Sequence, residues 1–183
     1  MTSWAPRPAS EVVARALSAR GQGYYKLGGG APYTEASPFD ADGNPHPGTC
    51  DCSGLIAWAA GYRRDAWNTN AIVADALKRR TRFVLVPRMA AVRVGDIIVK
   101  PGPDLDHDGR RDYPGHCGII VGVHADFVRG GPEWWEDLDV AHCSGARQNR
   151  IDPTTGKRYG AVRVTDASLW ALSGYIIRPL HLT

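Results

Sequence analysis

Long apolar runs are missing from this chain. Nothing in it approaches the roughly 18 consecutive apolar residues that mark a membrane-spanning helix, so no span is expected. The segment from Met1 to Arg20 has no continuous apolar stretch and contains Pro6, Pro8 and Glu11, which is not the pattern of a secretory signal. Synthesis in the cytoplasm without a signal peptide is therefore the expectation. No internal repeat or low-complexity tract is present. Basic blocks are short: Lys78-Arg79-Arg80 with Arg82 ends a helical pattern, where cations complement the helix dipole, and no nucleic-acid partner is expected. Cysteine is sparse, with four residues (Cys50, Cys52, Cys117, Cys143), and without a signal reduced thiols are the default. What remains is ordinary for a folded protein: 43% hydrophobic, 22% charged, net charge +3. Residues 1–183 are expected to form one domain large enough to bury its own core.

The segment Asp51-Cys52-Ser53-Gly54, running into Leu55-Ile56-Ala57-Trp58-Ala59-Ala60, carries the most chemistry. It places a thiol at the first turn of an apolar helix, where unpaired N–H groups and the helix dipole stabilise a thiolate. Two histidines that could serve as base follow, in Gly115-His116-Cys117-Gly118-Ile119-Ile120 and Val140-Ala141-His142-Cys143. A buried structural cysteine is the bland reading of Cys52 alone. A cysteine at a helix start followed by histidines on later strands is a nucleophile layout.

Around these residues the chain divides into two halves of different character. Ser10 followed by Glu11 to Leu17 reads as a capped amphipathic helix ending near Gly21. Residues 28–49 are rich in Gly, Pro and Asp and read as a long loop. The nucleophile helix should run from Cys52 to about Tyr62, capped by Asp51 or Thr49. Asn68 or Thr69 can cap a third helix with Ile72, Val73, Ala76 and Leu77 on one face. Strands are expected at 83–86, 96–99, 117–123, 138–142, 159–164 and 174–177. Helices first and strands afterwards predict an α+β domain with helices packed on an antiparallel sheet. Side chains alternate across a strand, so Cys117 and Cys143 must face away from His116 and His142. If the histidines face the nucleophile helix, those two cysteines are inert packing on the far face.

With these motifs in this order, the chain resembles the NlpC-type cysteine peptidases, papain-like enzymes that cut peptide stems of peptidoglycan. Tyr24-Tyr25-Lys26-Leu27-Gly28-Gly29 resembles the aromatic, double-glycine segment that precedes the nucleophile in that family. Val94-Gly95-Asp96-Ile97-Ile98 resembles its strand entry, with Val where Pro is usual. The resemblance covers residues 10–145. It implies Cys52 as nucleophile, His116 as general base and His142 as the group that orients the imidazole. The backbone N–H of Cys52 at the helix start is a natural oxyanion donor, to which Tyr25 could add its hydroxyl, with Tyr24 nearly as good a choice; the resemblance also implies recognition of a stem amino terminus by Asp51 and Ser53. It further implies no required cofactor and a bond after D-glutamate. Without a signal or an appended wall-binding module, such an enzyme would reach the wall by release or by delivery machinery, with an inhibitor protein as a conceivable partner. The runner-up readings are an acyltransferase using the same thiol and a non-hydrolytic binding member of the fold.

The chain departs from the family pattern at two insertions. Residues 101–114 enlarge the loop before His116, and the Trp-rich segment 130–137 stretches the span to His142. His124 is nearer in sequence, but it sits about 26 Å from His116 along an extended strand, so His142 is preferred. Within the first insertion, Asp104, Asp106, Asp108 and Asp112 resemble the front half of a calcium loop, although Gly115 stands where a bidentate Glu is expected. An acidic solvated turn is the competing reading, and the weaker cluster Asp40, Asp42, Gly43 and Asn44 reads as a turn. The cysteines and histidines fail zinc spacing, having no Cys-x-x-Cys. Cys50 reads as a loop residue or redox partner. Trp134 and Trp135 read equally as a stacking platform or as packing.

Overall fold

The computed structural model describes residues 6–21, 24–28, 49–61, 68–86, 92–103, 105, 114–124, 133–145, 161–171 and 173–182. Among the described residues three α-helices precede the sheet, α1 (Ala9–Ser18), α2 (Cys52–Ala60) and α3 (Thr69–Ala74), the last continuing into a wider π-type turn over Asp75–Arg79. Helix α1 starts earlier than its sequence signal. Pro8 occupies the cap position and makes no side-chain cap, Ser10 lies inside the first turn, and the Arg7–Glu11 ion pair at 2.7 Å ties that turn down. At α2 the choice between two caps resolves to Asp51, whose side chain accepts from the Gly54 N–H at 2.7 Å. The helix stops at Gly61, whose φ of 76° is the left-handed conformation glycine adopts without strain. Asn68 caps α3 by accepting from the Ala71 N–H at 2.8 Å.

Two short strands, β1 (Tyr24–Tyr25) and β2 (Thr49–Cys50), pair in parallel and bring the aromatic segment beside the start of α2. The main sheet holds β3 (Phe83–Leu85), β4 (Ile97–Lys100), β5 (His116–Val123), β6 (Leu138–Cys143), β7 (Val162–Asp166) and β8 (Tyr175–Pro179). Their spatial order is β3-β8-β4-β5-β6-β7, and every pairing is antiparallel. This is the expected α+β architecture, helices packed on an antiparallel sheet.

Both faces of that sheet are covered, which explains strands as uniformly apolar as Ile97-Ile98-Val99. On one face Ile97, Val99, Cys117, Ile119, Ala141 and Cys143 pack with α1, α2 and α3. Helix α2 is buried along its whole length, as a helix apolar on all sides must be. On the other face Ile98, Ile120, Leu138, Val140 and Ile176 pack with Trp134 and Trp170. Trp134 is buried and meets the half-buried Trp135 edge-on at 6.0 Å, so this pair is packing. Among the described residues no helix is long and apolar enough to cross a membrane.

The Gly95-Asp96 strand entry owes its residue types to packing. Gly95 has φ 92°, and a Cβ there would lie 2.9 Å from that of Ala9. Asp96 is buried and takes a bidentate bond from Arg178 of β8, at 2.7 and 2.8 Å. Asp96→Ala would strand the guanidinium at the sheet, so a stability loss of about 3 kcal/mol is expected. A lowered urea midpoint at unchanged m checks this. A midpoint unaltered within error would remove the ion pair from the account of the fold.

Candidate active site

Asp51 organises the start of α2. Its Oδ1 accepts from the Ser53 hydroxyl at 2.9 Å and from the Gly54 N–H, while Oδ2 accepts from the Gly28 N–H at 2.8 Å. One carboxylate thus caps the helix and ties the double-glycine segment to it. Asp51 and Ser53 are both buried and bonded to each other.

Cys52 follows as the first helical residue, buried with only 6% of its surface exposed. Its thiol meets the Cys117 thiol and the His116 ring. Hydrogen bonding from Cys117 is the largest influence, and together with bonding and charge from His116 it outweighs burial and the nearby Asp51, lowering the Cys52 pKa to about 5. The same contact works the other way on Cys117, which burial and the Cys52 charge push well above the ordinary range. Cys50 is raised too, by burial and by the neighbouring Cys143. Its thiol donates to the Asp51 carbonyl at 2.9 Å, and Cys143 donates to the Cys50 carbonyl at 3.3 Å. All four thiols are free.

This corrects the expected placement of Cys117 and Cys143. Alternation holds, but it is the cysteines that face α2, in one buried cluster with Cys52. The histidines lie on the opposite face, against Trp170. His116 still reaches the thiol because it is the first residue of β5, where the sheet ends beside the start of α2. Small sulfur side chains suit the tight helix–sheet contact, while the imidazoles take the face that offers polar partners.

His116 and His142 meet edge-on. His116 Nε2 lies 2.8 Å from His142 Nδ1, with the ring centroids 5.0 Å apart at 88°. With Nε2 engaged, Nδ1 is the nitrogen of His116 left for the thiol. His142 is fully buried, and burial, reinforced by the His116 and Arg163 charges, holds its pKa down at about 3, so it is neutral. Gly118 makes the approach of the rings feasible: a Cβ there would sit 3.2 Å from the His142 Cβ and closer still to Val140. His124 lies just beyond the far end of β5, exposed and 3.2 Å from Asp139, away from the other two histidines.

Two members of this constellation carried no signal in the sequence. Trp170, fully buried, stacks on His116 at 5.3 Å and 17°, meets His142 edge-on at 5.4 Å, and donates its indole N–H to the His116 carbonyl at 3.3 Å. The indole covers the His116 ring and keeps water from the bond between the two imidazoles. Thr165, on β7, places its hydroxyl oxygen 3.3 Å from His142 Nε2. Neither has a characteristic spacing from the histidines. Only the order of the sheet brings them together.

No family model matches the chain, and no curated protein sequence does. Among solved structures it is similar to a protein of Staphylococcus aureus subsp. aureus Mu50 described as similar to lipoprotein, NLP/P60 family. The identity is 16% and the TM-score 0.40, with 96% of this chain and 44% of that chain covered. The chain thus spans less than half the length of that protein.

Of the remaining residues singled out by sequence, Tyr25 is half-buried against the Cys52 cluster. Burial, then the charges of Cys52 and Asp51, raise its pKa to about 12, so its hydroxyl keeps its proton beside the thiol. The side chain of Tyr24 lies outside the described residues, as do Asp104, Asp106, Asp108 and Asp112 and the cluster at Asp40 to Asn44. Among the described residues no group of three or more His, Cys, Asp or Glu side chains is arranged to hold a metal ion.

Proposed function

We propose that this chain is a cysteine peptidase of the NlpC type that hydrolyses amide bonds in the peptide stems of peptidoglycan, with Cys52, His116 and His142 as its catalytic residues. The observation that carries the reading is the continuous line from the Cys52 thiol through the His116 ring to His142, in which the nucleophile is held as a thiolate near neutral pH. A thiolate beside an imidazole suits acyl transfer.

The steps follow from the geometry. The Cys52 sulfur attacks the amide carbon, and its electron pair becomes the new C–S bond. The carbonyl oxygen takes the negative charge and is stabilised by the N–H of Cys52 at the helix start and by the protonated Tyr25 hydroxyl. The His116 Nδ1–H protonates the departing amine as the C–N bond breaks, leaving a thioester. Water then attacks the thioester, giving a proton to His116, and the thiolate returns. His142 holds the imidazole by accepting from Nε2–H. Asp51 sets a carboxylate next to the thiol, where a stem amino terminus is the cation it would attract, with Ser53 holding that carboxylate in place. Calcium in the acidic loop at residues 104–112 would stiffen the segment before His116 and take no part in bond making. Such an enzyme acts on the wall after release or delivery from the cell.

Digestion of purified muropeptides, with products identified by mass, tests the reading. Stem fragments with intact glycan strands are expected. Unchanged muropeptides, together with transfer of an acyl group to an added amine, would replace hydrolase by transferase.

A further inference from the structure

The hydrogen-bond line does not stop at His142. Thr165 Oγ1 is 3.3 Å from His142 Nε2, and the same hydroxyl donates to the Asp166 carbonyl at 2.9 Å. A threonine hydroxyl has one proton. With that proton directed to Asp166, only lone pairs remain for the imidazole, so His142 Nε2 must be the donor. A neutral imidazole carries a single N–H, which leaves His142 Nδ1 bare to accept from His116 Nε2–H across 2.8 Å.

We propose that Thr165 is a positioning residue that selects the Nε2–H tautomer of His142 and so directs the hydrogen bonds running from β7 to Cys52. Its role in turnover rests on the hydrolase reading above; the tautomer it selects does not. The opposite tautomer would point an N–H from His142 at His116 Nε2. His116 could then hold a proton on both nitrogens only with two N–H groups facing each other, and the thiolate would lose its cationic partner. His142 cannot avoid the conflict by taking a second proton, because burial and the neighbouring His116 and Arg163 charges disfavour its charged form. Cys117, Asp51 and Tyr25 border Cys52 at the thiol end of the line, and the Asp166 carboxylate follows Thr165 at the other end. The strand end that carries Thr165 also starts the turn bearing Trp170, where Asp166 accepts from the Ser168 N–H at 2.9 Å. One short segment therefore sets both the proton arrangement and the cover of the histidine pair.

The test is long-range 1H–15N NMR of the His142 ring in the full chain, with the pH dependence of Cys52 alkylation by iodoacetamide measured in parallel. The wild type and Thr165→Ser should show the Nε2–H tautomer and the same alkylation profile. In Thr165→Val the Nδ1–H form should become populated, and the alkylation inflection should move up by about one pH unit, the order expected for one lost hydrogen bond. A purely structural loss would lower stability without moving that inflection. An Nδ1–H tautomer in the wild type overturns the proposal whether or not the valine variant folds, and so does an unchanged tautomer and inflection in a folded Thr165→Val. Neither readout involves peptidoglycan. A failure to cleave muropeptides would therefore count against the hydrolase reading alone.

Discussion

Cys52→Ala is expected to lower turnover of stem-peptide substrates by about 10⁴-fold or more, because it removes the atom that forms the thioester and leaves only binding and the oxyanion donors. His142→Ala should cost less, about 10²-fold, since His142 orients the base and makes no bond to substrate. The loss should fall on kcat with KM little changed. Thermal midpoints are needed alongside, as His142 is fully buried and its removal leaves a cavity below Gly118. Equal losses for the two variants in folded protein would assign His142 a direct part in the chemistry. A Cys52→Ala variant that retains wild-type turnover would end the cysteine-peptidase account.

The second large effect is selective modification. At pH 6 a thiol with a pKa of about 5 is roughly nine-tenths thiolate, whereas an ordinary thiol is well under one per cent. Cys50 and Cys117 are pushed the other way, chiefly by burial, and both are fully enclosed. Cys143 is equally enclosed and spends its S–H on the Cys50 carbonyl. Brief iodoacetamide treatment at pH 6, followed by peptide mapping, should label Cys52 at least about 100-fold faster than the other three. Comparable labelling of Cys117 would mean that the thiolate is shared across the Cys52–Cys117 contact.

Much of this arrangement was legible in the sequence because it is local. The Asp51 cap, the apolar helix behind Cys52 and the strands bearing His116 and His142 are written in consecutive residues, and strand alternation separated each histidine from the cysteine after it. The direction of that alternation was not legible. Nothing local states which face of β5 meets α2, and Cys117 proved to face the nucleophile instead of lying apart from it. The partners of the histidine pair were hidden for the same reason. Trp170 and Thr165 reach it through the pairing of β6 with β7 and the turn that follows. The ion pair of Asp96 with Arg178 likewise depends on β8 inserting between β3 and β4.

The Trp-Trp pair is a composition cue that leaves two readings open until the sheet is in view. Beside an insertion, two tryptophans fit a stacking platform, but the second face of the sheet needs cover as much as the first. Trp134 joins Trp170 over Ile98, Ile120 and Val140 to provide it.

The rate of Cys52 alkylation between pH 3.5 and 9, compared in the wild type and His116→Ala, bears most directly on the claim that the protein holds its nucleophile as a thiolate. The thiolate is the reactive form, present above the inflection and lost as pH falls through it, and a lowered pKa places that inflection below the value of a free thiol. The account predicts an inflection near pH 5 in the wild type, displaced upward when the His116 contribution is removed. A wild-type inflection near pH 8.5, the value of a free thiol, and indifferent to His116 would contradict it.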